Sequence, residues 1–132
     1  FLNLPAERLL LWKDVLANVA GVKVILKQYS EVYFSTKNEL CAFGFEAYKN
    51  ALLTELDTMV HKGEKNKLFV EELLKKADDE NKEYLEVVAL LLDSIAEIRD
   101  KIANEEEVSN EIDIIEKVVG AIVLVQPFVA EV

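Results

Sequence analysis

The sequence predicts an all-α fold, an up-and-down bundle of four or five helices forming one domain over residues 1–132. Three observations carry that expectation. Apolar residues recur at steps of three and four along most of the chain, the period of a helix with one buried face. Turn-forming residues fall in clusters of only a few positions, so successive helices lie antiparallel to their neighbours. With 132 residues of which 52% are hydrophobic, the chain is long enough to bury one core without metals or disulfides.

The first helix is expected from Pro5 to Phe34. Leu9, Trp12, Leu16 and Val19 make one stripe, continued by Val15, Val22, Leu26, Tyr29 and Tyr33. Pro5 suits an opening turn, because its missing N–H would have no partner there. The β-branched run Val22–Tyr33 permits two short strands as the rival, but Tyr29-Ser30 is a poor hairpin turn. Ser35–Glu39 reads as a break, with Thr36 and Glu39 spaced as a capping box.

A second helix should then bury Leu40, Phe43, Ala47 and Ala51 along one edge and Phe45, Tyr48, Leu52, Leu56 and Met59 along another. His61-Lys62-Gly63 predicts its end, with cations near the negative pole and a glycine free to turn left-handed. Past a polar linker, Glu64–Asn66, a shorter helix is expected over Lys67–Ala77. Asp78–Asn81 fits either a new N-cap or the outside of a continuing helix. Beyond it the pattern is strong: Tyr84, Val88, Leu91, Ile95, Ile98 and Ile102 follow a 4-3-4-3-4 rhythm, with Leu85 and Leu92 beside them. The phase slips near Glu105–Ser109, which predicts a turn. A last helix should begin near Ser109-Asn110, on Val108, Ile112, Ile115, Val119 and Ile122. The run Val118–Val125 is apolar on every face, which suggests a buried helix, then a subunit interface, then a buried strand; Gln126-Pro127 ends it.

Charge narrows the partners. Residues 64–116 hold 17 acidic and 7 basic residues, and the chain carries a net charge of -10. Such a surface repels phosphate backbones and anionic lipid, so neither nucleic acid nor a membrane is expected as partner. A protein partner is expected instead, basic in character or a second copy of the chain in a homo-oligomer. No secretory leader is recognisable, and Lys13, Asp14 and Lys23 interrupt the apolar stretch from Leu9 to Leu26. One Cys, Cys41, cannot form an internal bridge; a reducing intracellular compartment follows as the expectation, with a mature secreted protein or an excised fragment as alternatives.

No catalytic constellation emerges. The single His61 and single Cys41 cannot build a zinc site, the four glycines make no phosphate loop, and Cys41 stands among apolar neighbours that would keep it an inert thiol. No cofactor or metal is expected, and the chain reads as a non-enzymatic interaction module or assembly subunit with an acidic face. An apolar, lipid-like small molecule is the alternative ligand. Its candidate site is Tyr29, Tyr33, Phe34, Phe43, Phe45 and Tyr48, six rings on both sides of the Thr36 turn that antiparallel helices would gather at one end of the bundle. A further alternative is a membrane-active protein that inserts its apolar C-terminal segment.

Overall fold

A computed structural model describes residues 3–4, 6–33, 42–125 and 128–129, with side chains over 8–33 and 44–123. The chain is all-α: four helices, α1 (Ala6–Glu31), α2 (Ala42–Lys76), α3 (Asp79–Ala103) and α4 (Ser109–Val125), make up the described fold. Two residues at each end, β1 (Asn3–Leu4) and β2 (Phe128–Val129), pair in parallel with Asn3 opposite Phe128 and Leu4 opposite Val129.

Sequential helices pack side by side and α4 returns against α1, so the bundle closes as a ring. Cross-helix pairs fix the directions. On α1 and α2, Arg8 meets Glu72 while Asn18 meets Met59, and on α2 and α3, Lys67 meets Asp93 while Asp57 meets Arg99, all of which is antiparallel register. The interior is mostly aliphatic, with Trp12, Tyr29, Phe45 and Phe69 as its buried rings. Trp12, Val19, Leu56, Leu91, Ile95 and Ile115 are all buried in one cluster. Each such aliphatic side chain contributes about 1.5–3 kcal/mol when removed from water.

α1 follows the predicted stripe, and Val22–Tyr33 is helical rather than a hairpin. The predicted capping box at Thr36 and Glu39 lies outside the described residues, as does Cys41. α2 departs from expectation. It does not stop at Gly63: it runs unbroken from Ala42 to Lys76, absorbing both the predicted linker Glu64–Asn66 and the predicted short helix Lys67–Ala77. Gly63 is helical and buried, and no described glycine has a positive φ. A Cβ at Gly63 would lie 3.0 Å from Ile95 Cδ1 and 3.4 Å from the Leu92 carbonyl oxygen, so its role is close approach of α3 rather than a turn. His61 and Lys62 therefore sit in mid-helix, where the macrodipole does not act on them. Ala47 and Ala51, expected inside, are exposed; a methyl group gains little from burial, and α2 turns inward its larger Phe45, Leu52 and Leu56.

The undecided stretch at Asp78 is an N-cap. Asp78 Oδ1 accepts from the Asn81 backbone N–H at 2.9 Å, and Asp79 and Glu80 occupy the first turn, where negative charge is favourable. α3 then buries Leu85, Val88, Leu91, Leu92, Ile95, Ile98 and Ile102, as the seam predicted. Its end explains the phase slip. Glu105 N–H donates to Ile102 O at 3.1 Å and Glu106 N–H to Lys101 O at 2.9 Å, a Schellman closure that requires the left-handed φ of 58° found at Glu105. Lys49 Nζ, 3.3 Å from the Glu105 carboxylate, ties this turn to α2. α4 is helical to Val125, but Val118–Val125 is not enclosed on all sides. Val118 and Ala121 face the core while Gly120 and Val123 are exposed, Val123 at 56%.

Candidate functional site

The antiparallel pairing of α1 and α2 carries Tyr29, Tyr33, Phe45 and Tyr48 to one end of the bundle, beside the turn at 104–108. Phe34 and the ring of Phe43 lie outside the described residues. Tyr29 is enclosed; its hydroxyl donates to Glu106 O at 2.9 Å, and its ring centroid lies 5.7 Å from that of Tyr33. Burial first, then the proximity of Tyr33, Glu105 and Glu106, raises the Tyr29 phenol far above its ordinary pKa. The Tyr48 phenol is raised as well, by burial and then by Glu31 and Glu55. Phe45 is packed into the core. Of these rings Tyr29 braces the turn that joins α3 to α4, through Glu106.

Among the described residues, clefts also open between α3 and α4 and between α1 and α2, where the sequence had singled out no site. Between α3 and α4 a cavity of about 160 Å³ has apolar walls from Leu91, Ile98 and Ile114 and polar groups from Ser94, Glu97 and Glu111. The Glu111 side chain is 12% exposed. Lys101 Nζ pairs with its Oε1, while Oε2 is buried with no hydrogen-bond partner among the described residues. That contact, through its hydrogen bond first, raises the Lys101 ammonium pKa. Ser94 donates to Leu90 O at 2.7 Å and is already committed to its own helix. A buried carboxylate oxygen without a donor is costly, and a cation or N–H group entering the cleft would satisfy it.

Between α1 and α2 lies a larger cavity of about 350 Å³. Its polar floor is a buried amide pair: Asn66 Nδ2 donates to Asn18 Oδ1 at 3.0 Å and to Asp14 O at 3.4 Å, and Asn18 Nδ2 donates to Met59 O at 3.3 Å. Leu11, Met59 and Phe69 supply apolar lining; Asp14, Lys62 and Lys65 bring charge. The Arg8 guanidinium sits 5.1 Å over the Phe69 ring and pairs with Glu72, whose carboxyl it holds below the usual carboxylate range.

Sequence did offer one signal for this floor: Asn18 interrupts an otherwise apolar face between Val15, Val19 and Val22. Asn66, Lys62 and Lys65 were hidden because Gly63 read as a helix stop. Among the described residues no three His, Cys, Asp or Glu side chains are grouped to hold a metal, and no described helix is long and apolar enough to cross a membrane. His61 is exposed on α2, and its neighbour Asp57 pairs with Arg99 rather than with it. Compared with protein-family models, curated proteins and solved structures, the chain has no match.

Proposed function

We propose that the protein is a non-enzymatic interaction module whose α3–α4 face receives a basic segment of a partner protein. The supporting observation is the Glu111 carboxylate, held by Lys101 through one oxygen and with its other oxygen buried and, among the described residues, unpartnered in an apolar-walled cleft. The surroundings match that chemistry. The cleft lies in the part of the chain that carries the acidic excess, with Glu97 also lining it and Leu90 and Ile114 exposed on the same two-helix surface. An arginine or lysine side chain could lay its methylenes on Ile98 and Ile114 and offer its donors to Glu111 and Glu97. The aromatic end is a weaker candidate for ligand binding, since Tyr29 and Phe45 are already packed and the Tyr29 hydroxyl is committed to Glu106.

The test is an amide-resolved NMR titration of the whole chain, at physiological ionic strength, with a short peptide of alternating Arg and Ala and with its citrulline counterpart. Saturable shifts confined to α3 and α4, absent with citrulline and lost in Glu97→Lys and Glu111→Gln, are expected. Shifts spread over every acidic surface, or equal responses to both peptides, would overturn the proposal.

A further inference from the structure

We propose that the α1–α2 cleft is a binding site for a small amphipathic carboxylate, its anionic head at Lys62 and Lys65 and its apolar body against Leu11, Met59 and Phe69. This site is independent of the α3–α4 face and lies away from the aromatic end.

Size is the first argument. About 350 Å³ falls within the roughly 300–1,000 Å³ typical of small-molecule sites, and the gap between two helices of a bundle is one of the places where such sites form. Composition is the second. Leu11 lines the cleft while remaining 40% exposed, so apolar surface is left facing solvent that a ligand chain would cover. Met59 is an adaptable wall, since an unbranched thioether repacks around ligands of different shape.

Charge supplies the head group. Lys62 and Lys65 are three positions apart on α2, hence on one side of the helix, and both line the cleft. Among the described residues neither has a carboxylate within ion-pair distance, although seven other cations of this acidic chain do. Asp14 across the cleft offsets one of the two, which leaves a single positive excess in a chain of net charge -10. A monovalent anion matches that excess. The Asn18–Asn66 pair completes the site: its hydrogen bonds are made within the protein, so it forms a fixed polar floor.

The experiment titrates the full chain, labelled for NMR, with octanoate, octanol and octylammonium. Octanoate is expected to give saturable, single-site shifts at the Asn18 and Asn66 side-chain amides and the Met59 methyl, with octanol weaker and octylammonium weakest. Lys62→Glu combined with Lys65→Glu should weaken octanoate about tenfold, the scale of two exposed charge pairs lost, and leave octanol unchanged. Leu11→Trp, placed at a part-exposed position that tolerates a larger ring, should block all three. Circular dichroism establishes that each variant is folded. Absence of saturable octanoate shifts, shifts centred on Tyr29 and Phe45, or octanoate and octanol binding equally with no effect of the lysine reversals would each overturn the assignment.

Discussion

Asn66 donates its side-chain amide to Asn18 Oδ1 at 3.0 Å, joining the middle of α1 to the C-terminal half of α2 through a buried polar contact in a largely apolar interior. Buried amides stabilise only when their partners are present, so the pair should behave as a unit. Asn66→Ala strands Asn18 Oδ1 and should cost about 1–2 kcal/mol in urea unfolding. Asn18→Ala together with Asn66→Ala should cost less than the two single changes added. Strict additivity would show that the two amides do not depend on each other.

Glycines at three helical positions should respond differently to the same methyl group. Among the described residues nothing lies within 4 Å of a Cβ at the exposed Gly120, so Gly120→Ala should stabilise by about 0.5–1 kcal/mol through helix propensity. At Gly63 the same change meets Ile95 Cδ1 at 3.0 Å, on a side chain with no exposed surface, and a backbone oxygen behind it, so it should destabilise. Gly21 falls between them, because its obstacle is the movable tip of Met59. Thermal melts of the three alanine variants give the order directly.

Alkaline pH should weaken the fold through Tyr29. Its phenol titrates well above its ordinary value of 10.0 when folded, so above about pH 10 the unfolded chain loses this proton and the folded chain keeps it. The contribution is complete below the unfolded pKa and falls as pH rises beyond it. Phenolate absorbance should show Tyr29 ionising together with unfolding. Tyr29→Phe should flatten the alkaline limb while costing about 1 kcal/mol at neutral pH, from the hydrogen bond lost to Glu106 O.

Ion pairs of different burial should separate on heating. Removing Lys101 leaves the largely enclosed Glu111 carboxylate without its cation, so Lys101→Met should lower the Tm, and added salt should restore little of it. Glu72→Gln, at the exposed pair with Arg8, should shift the Tm little and lose even that in high salt. Equal shifts for the two variants would place Glu111 in a solvated environment.

The seam of α3 and the turn after it were legible because both are local. A run of large aliphatic residues at helical spacing has one way to be buried, and the slip of phase at Glu105 appears in the spacing itself. Gly63 was misread because the signal for a helix end and the signal for a notch against a neighbouring helix are the same residue. What separates them is Ile95 and Leu92, some thirty positions along the chain. The same error concealed the α1–α2 cleft: with α2 cut at Gly63, Lys62 and Lys65 become cap and linker rather than two side chains on one groove. Glu111 was one acid among 25, and only its packing beside Lys101 and Ile98 sets it apart. The gathering of aromatic residues at one end needed only antiparallel helices and was visible in advance for the four rings described.

The pairing of Asn3 with Phe128 joins residues about 125 positions apart in a ladder two residues long. Closing a loop of that length costs roughly 4 kcal/mol of chain entropy, more than a few backbone hydrogen bonds of about 1 kcal/mol each repay. The ladder is therefore a product of the assembled bundle and not a seed for it. It should form after the helices have docked and open before they part, so amide exchange at Leu4 and Val129 should report opening of the ladder alone, well below the free energy of global unfolding.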